Sequence, residues 1–229
     1  MKISKRLSAV AGEIKYKTAA DIGCDHAYAL IYAMLNSKID AAYACDINEK
    51  PLIRARENIS RHNLSDKIKT KRGDGLAAIE GLNTETVIIA GLGGHLTVEI
   101  LERGHNFIPG IKQLILQPMS EVPKVRRYIN RIGFMISNES IVYEDLKYYN
   151  IIVCEPGSDA PYDETENEFG RALINKKDEI FIKYLNEEAR KIKNILSGFN
   201  LNGDVSLKTR ERIGELENIL RMAEGILNA

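Results

Sequence analysis

Residues 20–28 read ADIGCDHAY, and the single glycine in this run decides the fold. Upstream, 18–23 has the apolar, β-branched character of a strand; downstream, 27–36 has the periodicity of a helix. Gly23 therefore falls at a strand-to-helix turn, where a residue without a Cβ lets the backbone reverse and approach a ligand closely. A dinucleotide loop needs GxGxxG, so that a pyrophosphate can rest on the helix N-terminus. Here only Gly23 is present, and Asp25 and His26 follow it. An acid at that position repels a pyrophosphate and suits a cationic ligand. The plain alternative is an ordinary turn in which Asp25 caps the helix.

Working outward, strand patterns at 18–23, 41–46, 67–72, 86–90 and 112–117 alternate with helical patterns at 27–36, 50–63, 95–102 and 121–132. Such alternation implies right-handed crossovers and a parallel sheet with helices on both faces. The apolar runs Val87-Ile88-Ile89-Ala90 and Leu114-Ile115-Leu116 fit strands buried on both sides. Segments 134–144 and 147–155 leave no room for a helix between them, so they must pair antiparallel. The expected fold is α/β: a Rossmann-like, doubly wound, mostly parallel seven-stranded sheet with an antiparallel final strand. Beyond a Pro/Asp/Glu linker, one long helix is expected over 164–197, with Ile174, Phe181, Leu185, Ala189, Ile192 and Leu196 on its seam. A second follows over 205–227 with Ile213, Leu216, Leu220, Ala223 and Leu227. A break at 198–204 joins them into a coiled-coil-like hairpin. The expected domains are 1–158 and a helical 159–229.

Totals exclude several classes. The chain has 229 residues, 44% hydrophobic and 28% charged, within the globular range. No segment approaches a membrane span, and the N-terminal MKISKR opens no secretory signal. Cys24, Cys45 and Cys154 form no CxxC pair, which suggests neither a zinc site nor disulfides, and hence a reduced, cytoplasmic protein. A formal net charge of zero leaves nucleic-acid binding to local patches.

Two further carboxylates sharpen the ligand. Asp46, in Cys45-Asp46-Ile47-Asn48, ends the second strand about 20 residues after Gly23, where an acid accepts both ribose hydroxyls. Ile47 could pack on an adenine face. Asp74, in Arg72-Gly73-Asp74-Gly75, ends the third, placed to reach an adenine amino group between flanking glycines. Each alone has a plainer reading, as a helix cap or an Asp-Gly turn. Three acids at three successive strand ends point to a nucleoside carrying positive charge, S-adenosylmethionine. After the fourth strand, Ala90-Gly91-Leu92-Gly93-Gly94-His95 leaves room for a flat base. Gln117-Pro118-Met119 could form the opposite wall; the plainer alternative is that Pro118 simply ends the strand.

Together, SKRL at 4–7, DIGCDHAY at 21–28, GDGL at 73–76, IAGLGG at 89–94, LILQP at 114–118 and YYNIIVCEPG at 148–157 resemble the bacterial tRNA (adenine-22) N(1)-methyltransferase family, TrmK. The resemblance covers nearly the whole chain. It implies a methyltransferase domain with a helical hairpin, making 1-methyladenosine in tRNA. Its cofactor positions fall on Asp21, Gly23, Asp25, His26, Asp46, Ile47, Asp74 and Gly75, joined here by Gly73, Ala90 and Gly91. Its substrate side falls around Gly91, Gly93, Gly94, His95 and Gln117. Relative to class I methyltransferases at large, Asp25 and Ala27 replace glycines, and no Asn-Pro-Pro-Tyr follows the fourth strand. Ring nitrogen 1 already exposes an in-plane lone pair, so orientation should outweigh base catalysis. His26, Asp25 and Gln117 are the candidates to stabilise the cationic product. Lys5 and Arg6 are expected to touch RNA; basic clusters also occur at Lys67/Lys69/Lys71/Arg72, Lys124/Arg126/Arg127/Arg131, Arg190/Lys191/Lys193 and Lys208/Arg210/Arg212. Each of these taken alone reads as a solvated face balanced by Asp and Glu, while the amino-terminal and hairpin clusters are expected to share one face with the cofactor cleft. The expected partner is tRNA, with no metal, membrane or obligate protein partner. The rival readings are a small-molecule methyltransferase and a non-catalytic RNA-binding protein of the same fold.

Overall fold

The computed structural model describes residues 1–199 and 206–229, in two compact units, Met1–Pro161 and Tyr162–Ala229. In the first, the strands are β1 (Thr18–Ile22), β2 (Ala41–Asp46), β3 (Ile68–Arg72), β4 (Thr86–Leu92), β5 (Gln113–Pro118), β6 (Phe134–Glu144) and β7 (Lys147–Pro156). They form one sheet in the order β3-β2-β1-β4-β5-β7-β6. The first five run parallel, and β7 pairs antiparallel with both β5 and β6. Every residue of β5 is buried, as a strand covered on both faces requires.

Helices α1 (Lys5–Gly12), α2 (Tyr28–Leu35) and α3 (Glu49–Arg61) share a core with alternate strand residues. Val10, Leu30, Ile31 and Ile59 meet Ala19, Ala42, Ile88 and Ile115 there. The period of two sends Val87 and Ile89 to the other face, where α4 (Gly94–Arg103) packs; α5 (Val122–Ile129) packs against α4. The α1 helix was not anticipated. Its signal was Ser4, which caps Leu7 N–H, followed by apolar Leu7, Val10, Ala11 and Ile14 at helical spacing. Gln113 fixes the segment after it: its side chain donates to Glu13 O at 2.8 Å and accepts from Lys15 N at 3.1 Å.

One basic cluster is not what its composition suggested. Arg126 is buried, with Nε 2.7 Å from Oε1 of equally buried Glu139 and Nη2 near Asn150 Oδ1. It holds α5 to the β6–β7 hairpin and is not a surface cation.

The second unit also departs from expectation. The stretch 164–197 is three helices, α6 (Glu164–Phe169), α7 (Arg171–Lys176) and α8 (Glu179–Ser197). Asp163 caps the first; positive φ at Gly170 (89°) and Lys177 (45°) interrupts the stretch, and Gly170 and Asp178 are the N-caps from which α7 and α8 start. Consequently Leu173, not Ile174, takes the buried position on α7. Against α8 packs α9 (Leu207–Asn228), burying Leu216, Ala223 and Ile226 opposite the Phe181, Leu185, Ala189 and Ile192 seam. Most of the expected 198–204 break, and Val205, lie outside the described residues. Among the described residues, no helix is long and apolar enough to cross a membrane.

Candidate active site

The chain leaves β1 toward β2 on one side and β4 toward β5 on the other, so a crevice opens between the carboxyl ends of β1 and β4. Open α/β sheets bind ligands at such a switch point. A cavity of about 370 Å³ lies there, lined from β1 and its turn by Asp21, Gly23, Cys24, Asp25, His26 and Tyr28. Ala90 and Gly91 line it from β4, and Arg6 and Leu7 from α1.

Gly23 has φ 77°, and a Cβ there would stand 3.2 Å from the Leu92 side chain. Its N–H and that of Cys24 both donate to Cys45 O at 2.9 Å, drawing the turn across the end of β2. Asp21, only 9% exposed, is the buried charge of the cavity. Burial pushes its carboxyl up from 3.8 to about 6; a Cys24 hydrogen bond and the Arg6 charge pull it down, and Asp46 adds to the rise.

Asp25 does not cap α2. The N-cap is Ala27, left-handed at φ 57° and without a side-chain cap bond. Instead, the Asp25 carboxylate receives both Nε and Nη2 of Arg54 and lies 3.3 Å from His26 Nε2. Its charge is already answered within the protein. His26 stacks on Tyr28, rings 5.0 Å apart and 5° from parallel, and its carbonyl accepts from Asn58 Nδ2 at 3.2 Å.

Asp46 and Asp74 continue the row across adjacent strands. Gly73 N–H donates to Asp46 O at 3.1 Å, tying the end of β3 to that of β2. At a strand spacing of about 4.8 Å, the three strand ends span roughly 10 Å. Asp46 Oδ1 takes the Asn48 amide at 2.6 Å, and Ile47 presents a half-exposed side chain beside it. Gly73 cannot carry a Cβ without meeting Ala78 at 2.8 Å, and Gly75 sits at φ 54°. Asp74 pairs with Arg103 Nη1 at 3.0 Å, and with Gly75 lines a separate hollow of about 160 Å³.

Of the remaining residues, Gly91 lines the cavity, whereas Gly93, Gly94, His95 and Gln117 do not. Gly91 has φ 80° and faces Arg6 Nη1, 3.6 Å from where its Cβ would be. Gly93 caps α4, and Gly94 packs so closely on the Ser120–Glu121 backbone that a Cβ would meet Glu121 O at 2.7 Å. His95, outside the cavity wall, binds Glu121 through its amide at 3.2 Å and lies 2.7 Å from Lys124 Nζ through Nδ1. Gln117 is buried; its Oε1 accepts from Arg6 Nη1, and its Nε2 donates to Pro118 O at 3.2 Å. Lys5 is exposed, its amide held by Glu144 Oε1 at 2.6 Å. Sequence reasoning missed the Arg6–Gln117 bond, the Tyr149 ring 5.5 Å from the Arg6 guanidinium, and the Arg54 and Arg103 partners of the acids. None has a sequence-local signal, because each joins distant segments.

A family model described as tRNA (adenine(22)-N(1))-methyltransferase matches residues 19–224. The tRNA (adenine(22)-N(1))-methyltransferase of Bacillus subtilis (strain 168) is 31% identical, over 100% of this chain and 98% of that protein. A candidate Streptococcus pneumoniae tRNA (m1A22) methyltransferase, solved with S-adenosyl-L-methionine, is 31% identical with a TM-score of 0.88, covering 99% of this chain and 100% of that one. TrmK of M. capricolum, solved with S-adenosyl-homocysteine, is 31% identical with a TM-score of 0.84, covering 100% and 99%.

Proposed function

The chain belongs to the tRNA (adenine(22)-N(1))-methyltransferase family, and from this premise we propose that it transfers a methyl group from S-adenosylmethionine to ring nitrogen 1 of adenine 22 in tRNA. The observation that carries the reading is a row of carboxylates, Asp21, Asp46 and Asp74, along the ends of three adjacent strands, beside a switch-point cavity. The residues fit that cofactor. A buried carboxylate faces the cavity, two glycines with positive φ let backbone approach it, and its volume lies at the lower end of small-molecule sites.

In this reading Asp46 accepts the ribose hydroxyls, Ile47 covers the adenine, and Asp74, between Gly73 and Gly75, takes the adenine amino group. Gly23 and Gly91 admit the methionine end, with Ala90 beneath it. Asp21 supplies the negative charge for the cationic end, while Asp25, bound to Arg54, orients His26 and Tyr28 at the rim. The bound cofactor supplies an activated methyl group on a sulfonium. For the target base, Arg6, Gln117, Gly93, Gly94 and His95 form the receiving lip, with Lys5 toward the RNA phosphates.

The charge inventory explains why no general base is required. One positive charge moves from sulfur to the base, and no proton leaves ring nitrogen 1. What the protein must do is hold the acceptor in line and stabilise a cation in a site of low polarity. Arg6 holds the Gln117 amide in place at the end of β5, and ionised Asp21 stabilises the charge on either side of the transfer. The experiment is a labelled methyl-transfer assay on tRNA followed by nucleoside analysis. The expected product is 1-methyladenosine at position 22; label in another nucleoside, or none, overturns the reading.

A further inference from the structure

The connection between β6 and β7 is two residues long, Asp145-Leu146, and both have positive φ, 49° and 60°. Such turns favour Asn-Gly, because an L side chain is disfavoured in the left-handed region. Leucine is a poor choice twice over. Leu146 is also the most exposed large hydrophobic side chain among the described residues, at 86%. It contributes little to burial, and glycine would serve the turn better. A strained, apolar, solvent-facing tip calls for a reason outside the fold.

Its position suggests one. Leu116 on β5 pairs antiparallel with Ile152 on β7, so the hairpin tip rises from the carboxyl end of β5, where Gln117 lies. The tip is stiff: strand pairing runs to Glu144 and Lys147, and the Tyr143 and Tyr148 rings sit 4.7 Å apart just below. It is also tied to the cleft. Glu144, two residues before Leu146, accepts the Lys5 and Arg6 amides at 2.6 and 3.2 Å, and Arg6 lines the cavity. Burial raises the Glu144 carboxyl, but those amides and Arg6 hold it below its usual value, so it remains an anion. Lys5 and Lys147 are exposed at the tip and form no ion pair with a described residue.

We propose that Leu146 is a wedge that enters the tRNA base stack beside the target adenine and keeps it extruded into the cleft, with Lys5 and Lys147 on the flanking phosphates. The proposal rests on the methyltransferase reading above. Enzymes that modify a base within a stack must extrude it, and apolar side chains inserted between base steps are a recurring means of unstacking.

The test compares wild type, Leu146→Gly and Leu146→Phe on tRNA, and repeats binding with 2-aminopurine at position 22, which brightens when unstacked. Leu146→Gly relaxes the turn, so its melting temperature should be unchanged or higher and S-adenosylmethionine affinity unchanged. The expected result is a fall in methyl transfer of about tenfold or more and loss of the 2-aminopurine brightening, because the cost of unstacking the base is no longer offset. Leu146→Phe should retain both signals. Wild-type turnover and brightening in Leu146→Gly would overturn the wedge and leave the methyltransferase reading standing. A wild-type protein that methylates no tRNA would overturn both.

Discussion

Arg6 donates through Nη1 to the side-chain oxygen of Gln117, joining α1 to the end of β5 across 111 residues of sequence. The same guanidinium lies 5.5 Å from the Tyr149 ring and lowers the carboxyl of Asp21. One side chain thus binds the proposed substrate lip and acts through its charge on the proposed cofactor carboxylate. For Arg6→Ala, methyl transfer to tRNA should fall about tenfold or more, as expected when a charged hydrogen bond worth roughly 1.5–3 kcal/mol is lost. Steady-state kinetics on tRNA checks it; unchanged kcat/KM would remove Arg6 from the lip.

Cofactor binding should depend on pH through Asp21. Its carboxyl titrates near 6 when the cavity is free of ligand, and a cation in the cavity favours the ionised form. Affinity for S-adenosylmethionine should therefore hold above pH 6 and weaken below it, approaching about tenfold per pH unit. Calorimetry between pH 5 and 8 reads the slope. In Arg6→Ala the midpoint should move upward, because the charge that lowers the Asp21 carboxyl is gone.

Asp21→Asn should separate stability from function. A folded-state value near 6 against 3.8 means the ionised carboxylate is a penalty above pH 6, relieved as pH falls toward 3.8. At pH 7 the penalty is about 3 kcal/mol. The variant should melt higher than wild type at pH 7, with the difference shrinking by pH 4, while cofactor affinity collapses. Thermal melts at the two pH values check the sign.

Gly94→Ala should be costly although its backbone is unstrained, because the added methyl has only the Ser120–Glu121 backbone to meet. A loss of roughly 1–3 kcal/mol is expected from overpacking. Gly12→Ala, with nothing within 4 Å of its Cβ, is the control and should be neutral or slightly stabilising. Denaturant midpoints distinguish the two.

The sheet was legible because its strands carry their own evidence: β4 and β5 are continuously apolar, and the β6–β7 interval is too short for anything but a hairpin. The 164–197 stretch misled because its apolar spacing continues through Gly170 and Lys177, whereas helix ends are set by backbone conformation. Individual acids at strand ends were readable; their partners were not. Arg54 reaches Asp25 from 29 residues away, and Arg103 reaches Asp74 from 29. Burial was equally opaque. Arg126 looked like one more surface cation in a basic helix, and only tertiary packing seals it against Glu139.

A crystal structure of this chain with S-adenosylmethionine tests the central claim most directly. The account predicts one ligand with its ribose on Asp46, its adenine between Ile47 and Asp74, and its sulfonium end in the cavity beside Asp21. A ligand bound elsewhere, or lying in the crevice without reaching Asp46 or Asp21, would contradict it.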